Sequence, residues 1–163
     1  IDIGGSMDSH IRVCEELFSA ARTELKNLEQ YYFHNFIYER VWRENSRGYN
    51  EWMSTFELLR TYAPDFKMIF VGDATMSPYE ITEVGGSIEH WNDEPGAVWM
   101  QRLLEFYPDS VWLNPVPVER WMSTPSLRIT HQLMGGRMFQ LTPDGLDGAM
   151  KVLRKATPAL SRH

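Results

Sequence analysis

The sequence has few means of cross-linking itself, since its 163 residues include one cysteine, Cys14. A single cysteine excludes an internal disulfide and suits a reducing compartment, so we expect a cytoplasmic protein. Long apolar runs are also missing: the longest covers only a handful of residues, far short of a membrane-spanning helix. We therefore expect no insertion into a membrane, and a fold that depends on a buried apolar core.

Positive charge is also scarce: the sequence has 16 Lys and Arg residues and 22 Asp and Glu residues, which gives a net charge of −6. This balance argues against a nucleic-acid partner, which would need a basic surface. Apolar residues make up 43% of the chain, as in globular proteins. The length is that of one domain, so we expect a single domain over residues 1–163.

Strand-like and helix-like segments alternate along the chain. Helices are predicted over Met7–Glu29, Glu51–Tyr62, from Pro95 to Pro108, over Ser126–Met134 and after Thr142, whose side chain should cap the last helix. Strands are predicted at 31–38, 41–42, 66–71, 111–113 and 138–141. A loop is predicted at 45–50 and a frayed tail at 158–163. This alternation indicates an α/β, doubly wound fold, with helices on both faces of a mostly parallel sheet. Ligands of such folds bind beyond the carboxyl ends of the strands.

The chain starts abruptly, because Ile1-Asp2-Ile3 has the pattern of a strand end and Gly4-Gly5-Ser6 follows at once. Strands are normally longer than three residues. We therefore expect that the sequence is the C-terminal piece of a longer protein whose first strand begins upstream.

Two acidic residues, Asp2 and Asp73, stand at predicted strand ends. If the strands are neighbours, both carboxylates face one crevice, where mutual repulsion favours a bound Mg²⁺ or a raised pKa. A purely structural interpretation is also open: Asp2 would face a helix N-terminus, Ser6 would cap that helix, and Asp73 would cap a turn.

The run Asp2-Ile3-Gly4-Gly5-Ser6-Met7 resembles the D-x-S-x-S metal-ion-dependent adhesion site (MIDAS) of von Willebrand factor type A (VWA) domains. More narrowly, the chain is similar to the CoxE-like branch of bacterial VWA proteins, and the similarity covers nearly its whole length. The supporting segments are 33–35, 70–78, 112–115 and 138–142. The resemblance implies a VWA fold in which one short antiparallel edge strand lies near Ile37–Trp42.

The resemblance also implies a metal site for Mg²⁺ or Mn²⁺, held by Asp2, Ser6 and Asp73. Two positions depart from the pattern. Gly4 stands where the first serine belongs, and the threonine of the second loop has no clear counterpart, Asn35 being the nearest residue. A water or the Asn35 carbonyl can replace a lost hydroxyl, so we expect a weakened but usable site.

The implied function is binding: a carboxylate of a protein partner completes the coordination of the metal. CoxE-like proteins are associated with MoxR-type AAA+ ATPases in the chaperone-like maturation of metalloenzymes, so such an ATPase is the implied partner. The long loop after Asp73 leaves from the metal face. We expect Tyr79 and Trp91 to be its partner anchors, with Glu80 on the rim; burial of Trp91 in the domain is the alternative.

Other functions stay open at this level. One is a Mg²⁺-dependent hydrolase with Asp2 or Asp73 as nucleophile or metal ligand, and another is a scaffold with a degenerate, metal-free site. A Ser6-His34-Asp73 triad can be written, but its spacing is not distinctive and no nucleophile elbow is present. His34 is expected to be a partly buried strand residue, and Cys14 a core residue.

Overall fold

Helices and strands alternate in the computed structural model, which describes residues 1–22, 25, 27–44 and 51–154. The helices are α1 (Ile11–Ala21), α2 (Thr55–Thr61), α3 (Tyr79–Thr82), α4 (Gly96–Phe106), α5 (Pro125–Leu133) and α6 (Pro143–Arg154); the strands are β1 (Arg40–Trp42), β2 (Trp52–Ser54), β3 (Met68–Val71), β4 (Ser110–Asn114) and β5 (Met138–Gln140); short 3-10 helices span Gly5–Met7 and Val118–Ser123. The loop predicted at 45–50 and the tail predicted at 158–163 lie outside the described residues.

The strands form a three-stranded parallel sheet in the order β3-β4-β5 and a two-stranded antiparallel sheet of β1 and β2. Residues 1–3 lie between the two sheets. The Asp2 N–H donates to the Val71 carbonyl at 2.7 Å, and the Ile3 N–H donates to the Phe33 carbonyl at 2.8 Å. Backbone hydrogen bonds between Tyr32 and Trp42 continue this connection to β1. Residues 1–3 therefore place Asp2 beside the carboxyl end of β3.

Apolar side chains cover both faces of the parallel sheet, because successive strand residues point to opposite sides. Trp112 in β4 is fully buried on one face, where its ring stacks on Phe70 at a centroid distance of 5.5 Å. Residues of α4 and α5 belong to this cluster. Leu113 points to the other face, where residues of α1 and α6 close the second cluster. Cys14 is buried in that second cluster, as predicted.

The predicted elements of the second half are confirmed with small shifts in their bounds. Thr142 caps α6 as expected, because its Oγ1 accepts a hydrogen bond from the Gly145 N–H at 3.0 Å. The predicted antiparallel strand near Ile37–Trp42 is β1, but β2 pairs with its outer side. None of the described helices is long and apolar enough to cross a membrane.

Four predictions in the first half are wrong in their bounds. The helix predicted over Met7–Glu29 begins at Ile11, because Gly5–Met7 forms a separate 3-10 helix, and it ends at Ala21. The strand predicted at 31–38 is reduced to isolated bridges at Tyr32, Phe33, His34 and Phe36. The helix predicted from Glu51 begins at Thr55, because Ser54 ends β2 and its Oγ accepts from the Phe56 N–H, which fixes the start of α2. The strand predicted from Phe66 begins at Met68.

Candidate metal centre

The Asp2 side chain is fully buried beside the carboxyl end of the parallel sheet. Its Oδ1 accepts hydrogen bonds from the backbone N–H groups of Gly4, at 2.7 Å, and Asn35, at 2.8 Å. Its Oδ2 is also buried, and no described residue donates a hydrogen bond to it. Buried carboxylate oxygens are normally matched by donors or cations. Oδ2 is therefore the point in this crevice that best suits a cation.

The ionisation of Asp2 reflects this environment. Burial raises the pKa of Asp2 to about 6, because the carboxylate is removed from water. The N–H groups of Gly4 and Asn35 lower this pKa in part, whereas the charge of Asp73 raises it. At pH 7 the carboxylate is mostly ionised, and the two N–H groups balance its negative charge only in part. A divalent cation would supply the missing positive charge.

Asp73 lies at the same end of the sheet, two residues after β3, and is 5% exposed. Gly72 allows this approach, because a Cβ at that position would lie 2.9 Å from the Asp2 Cβ. Asp73 Oδ1 accepts a hydrogen bond from the Thr75 N–H at 3.0 Å. The structure thus brings the two predicted acids close enough for the charge of Asp73 to raise the pKa of Asp2, while Asp73 also caps the turn that follows it.

The backbone next to Asp73 adopts an unfavourable conformation. Ala74 has a φ of +55°, in the left-handed region that a residue with a Cβ rarely adopts. The Ser126 hydroxyl donates to the Ala74 carbonyl at 2.7 Å and accepts from the Met76 N–H at 3.1 Å. Such strain persists where surrounding contacts enforce it, and it concentrates at functional sites.

Asn35 fills the space left by Gly4. A Cβ at Gly4 would lie only 2.1 Å from Asn35 Oδ1 and 3.1 Å from Asp2 Oδ1. Asn35 reaches this place from a left-handed backbone, with a φ of +59°, which asparagine tolerates better than most residues. The carboxamide oxygen of Asn35 therefore occupies the space that a side chain at position 4 would take.

Glu80 is a buried member of this site. It is 4% exposed, so its predicted place on an exposed rim is wrong. Its Oε1 accepts from Asn35 Nδ2 at 3.0 Å, and its Oε2 accepts from the Ser77 N–H at 3.2 Å. The Ser77-to-Glu80 spacing is that of a capping box, the one sequence signal from which an inward-facing Glu80 could be expected.

Ser6 lies in the 3-10 helix Gly5–Met7 and is exposed. It does not cap the long helix, because α1 begins five residues later, at Ile11. The structural interpretation of Ser6 as a helix cap is therefore wrong, and its role as a metal ligand stays a prediction.

His34 contributes to the attachment of the loop after α3. Its Nε2 lies 2.9 Å from Glu89 Oε1, and its side chain is 11% exposed, as expected for a partly buried residue. Farther along the loop, Asn92 is fully buried; its Oδ1 accepts from the Ser87 N–H and its Nδ2 donates to the carbonyls of Glu83 and Glu94. These contacts give the loop a defined conformation.

The two predicted anchors lie on the surface. Tyr79 is 68% exposed, and Trp91 is 70% exposed, with its Nε1 donating to Asp93 Oδ1 at 3.1 Å. Exposure of this extent contradicts the alternative in which Trp91 is buried in the domain. Ile88, which is 73% exposed, adds apolar surface to the same loop.

Among the residues that the structure describes, no three His, Cys, Asp or Glu side chains converge as a metal-binding group. This is compatible with the predicted site, whose oxygens come from two acids, a serine and an amide. Comparisons with protein-family models, curated proteins and solved structures find no match for this chain.

Proposed function

We propose that this chain is a VWA-type, CoxE-like domain that binds a protein partner through a divalent cation, Mg²⁺ or Mn²⁺. The observation that carries the proposal is the buried Asp2 Oδ2, which no described residue supplies with a hydrogen bond. Asp2 and Asp73 would hold the cation, together with Ser6, and Asn35 Oδ1 would replace the oxygen that Gly4 lacks. These are hard oxygen ligands of the kind that Mg²⁺ prefers.

The arrangement of the strands supports the VWA part of this proposal. Hydrogen-bonded segments follow one another from β2 through β1, residues 32–33, residues 1–3, β3 and β4 to β5. The VWA resemblance implies a mostly parallel sheet with one antiparallel strand toward an edge. The parallel bridge between Asp2 and Phe33 and the antiparallel pairing of Trp42 with Tyr32 support this part of the proposal.

The residues around the crevice have distinct tasks in this mechanism. Asp2 and Asp73 supply negative charge from a largely dehydrated position, where an electrostatic interaction is stronger than in water. When bound, the cation would offer an open coordination position to a carboxylate oxygen of the partner. Metal and partner would then bind together, since each completes the environment of the other.

The exposed aromatic side chains supply the apolar part of the proposed interface. Tyr79 and Trp91 belong to the chain segment that follows Asp73 and are exposed, as anchors of a partner should be. Resemblance alone suggests a MoxR-type AAA+ ATPase as the partner, and the maturation of a metalloenzyme as the process.

A metal-free interaction scaffold is the second candidate. One carboxylate oxygen of each acid already has backbone donors: Gly4 and Asn35 for Asp2, and Thr75 for Asp73. In that case the acids would only stabilise the turns around them, and the partner would bind to the exposed loop without a cation.

A metal titration separates the two candidates. Mg²⁺ or Mn²⁺ should bind at millimolar concentrations or below and raise the melting temperature, because a ligand that binds the folded state stabilises it. Asp2→Asn should abolish both effects, whereas Asp65→Asn, a control at an exposed acid before β3, should preserve them. Calorimetry that detects no binding to the wild-type protein would overturn the metal proposal and favour the scaffold.

A further inference from the structure

Asn35 can serve as an oxygen donor only if its carboxamide is held in one of its two orientations. Rotation by 180° about the last side-chain bond exchanges the amide oxygen and the NH₂ group, which have nearly the same shape. With the oxygen toward Gly4, a cation near Asp2 meets an acceptor. With the NH₂ group there, it meets two N–H donors and is repelled. The affinity of the proposed site therefore depends on what fixes this orientation.

Glu80 is the group that contacts the other end of the carboxamide. Asn35 Nδ2 donates to Glu80 Oε1 at 3.0 Å, and Asn35 Oδ1 lies on the Gly4 side, 2.1 Å from the place that a Cβ at Gly4 would take. The second oxygen of Glu80 is also occupied, because it accepts from the Ser77 N–H at 3.2 Å. Both partners of Glu80 are donors, and only a carboxylate offers an acceptor to each of them.

Glu80 itself is held firmly in place. It is 4% exposed, and the carbonyl of the same residue accepts a hydrogen bond from the Tyr38 hydroxyl at 2.5 Å. Because side chain and main chain are both held, Glu80 presents its oxygens at fixed positions.

From this geometry we infer that Glu80 is a positioning residue of the cation site: it orients the Asn35 carboxamide so that Oδ1, and not Nδ2, faces the cation. The inference rests on the proposed metal-binding function and deepens it, because it adds a buried acid that does not touch the cation. It also explains why the site retains an oxygen donor although Gly4 has no side chain.

Exchange of the hydrogen-bonding groups tests this inference. In Glu80→Gln the side chain has one acceptor, the amide oxygen, and one donor, the NH₂ group, whereas both of its neighbours, Asn35 Nδ2 and the Ser77 N–H, are donors. The Ser77 N–H is fixed in the backbone and keeps the amide oxygen as its acceptor, so the new NH₂ group faces Asn35. The Asn35 carboxamide then rotates to accept from it and turns Nδ2 toward the cation. We expect Mn²⁺ affinity, measured by calorimetry and by the electron paramagnetic resonance of bound Mn²⁺, to fall roughly 10- to 100-fold, as for other groups that orient metal ligands.

A double variant that combines Asn35→Asp with Glu80→Gln should restore binding. The amide introduced at position 80 then accepts from the Ser77 N–H and donates to one oxygen of the carboxylate introduced at position 35. The other oxygen of that carboxylate faces the cation. Aspartate also tolerates the left-handed backbone of this position. We expect Mn²⁺ affinity at least equal to that of the wild-type protein.

Glu83→Gln is the matched control, since it removes one negative charge from an exposed glutamate three residues away. It should leave Mn²⁺ affinity unchanged. Unaltered affinity in a folded Glu80→Gln protein would overturn the inference while leaving the metal site intact. If Glu80→Gln does not fold, the test is the double variant of Asn35→Asp and Glu80→Gln. Weak Mn²⁺ binding by that variant in its folded state would overturn the inference. Absence of Mn²⁺ binding in the wild-type protein would overturn the proposed function itself.

Discussion

The two ends of the parallel sheet are built from different chemistry. At the carboxyl end, buried polar side chains meet around the strand termini: Asp2, Asp73, Glu80, Asn114 and Ser126. At the amino end lies a cavity of about 410 Å³, which is lined mostly by apolar residues that include Tyr31, Leu58, Met68, Leu103, Tyr107 and Leu153. Neither Asp2 nor Asp73 lines this cavity, so the cavity and the cluster of buried polar side chains are separate features of the fold.

This contrast shows why hydrogen bonding is the better guide to the candidate site. Apolar side chains can adjust around a cavity, whereas each buried polar atom requires a specific partner. At the carboxyl end Asn114 Nδ2 donates to the Asp73 carbonyl at 3.0 Å, and Trp112 Nε1 donates to the Gly72 carbonyl at 2.8 Å. Against this background of satisfied groups, Asp2 Oδ2 is distinctive.

The largest expected effect is a loss of stability on removal of Trp112, whose ring packs beneath the carboxyl end of the parallel sheet. Trp112→Ala should lower the free energy of unfolding by about 3–5 kcal/mol, because it removes a fully buried ring and leaves the Gly72 carbonyl without its donor. Urea denaturation followed by circular dichroism would measure this loss.

Trp91→Ala is the matched control on an exposed tryptophan, and should change the free energy of unfolding by less than about 1 kcal/mol. If Trp91 is an anchor, the same substitution should weaken binding of the partner by about 2 kcal/mol or more. If Trp112→Ala and Trp91→Ala lowered the free energy of unfolding equally, Trp91 would be a core residue like Trp112 and not an exposed interface residue.

The second prediction concerns pH. The pKa of Asp2 in the folded protein is about 6, above the ordinary value of 3.8, so between these pH values the folded state binds more protons than the unfolded state. The contribution of Asp2 to stability is therefore fully present below about pH 4 and is lost as pH rises through about 6. A shift of this size corresponds to roughly 3 kcal/mol.

Unfolding of the wild-type protein and of Asp2→Asn, compared in EDTA between about pH 4 and pH 7, isolates this contribution. The stability of the wild-type protein relative to Asp2→Asn should fall by roughly 3 kcal/mol over that range. Parallel pH profiles of the two proteins would show that Asp2 is not a destabilised carboxylate at this end of the sheet.

The sequence predicted the α/β class, the strand that precedes Asp73 and the strand that reaches Asn114. These elements follow from local patterns: apolar runs that end in a polar residue, and proline or glycine after them. The proximity of Asp2 and Asp73 was expected only on the condition that their strands are neighbours. It did not predict β2, since Trp52–Ser54 has no alternation of its own and is defined by pairing with β1.

The burial of Glu80 was also missed, because a glutamate in a loop is normally a solvated residue. Its burial depends on Asn35, 45 residues away in sequence, and on the left-handed backbone that directs Asn35 toward Gly4. Such a contact becomes visible only when the chain is folded. The same applies to the close approach of Gly4 and Asn35, which the sequence shows only as two separate departures from the D-x-S-x-S pattern.

The smallest expected effect concerns the amino end of the sheet. An apolar run such as residues 66–71 is typical of a strand buried on both faces, but Met68 and Ile69 are only partly buried and both line the cavity. Ile69→Ala should therefore cost about 1–2 kcal/mol, below the usual range of roughly 2–5 kcal/mol for a large aliphatic core residue. Leu113→Ala, in the fully buried strand β4, should fall within that usual range. Chemical denaturation of both variants checks that Leu113→Ala lowers the free energy of unfolding more than Ile69→Ala does. An equal loss in the two variants would show that the amino end of the sheet is packed as tightly as its centre.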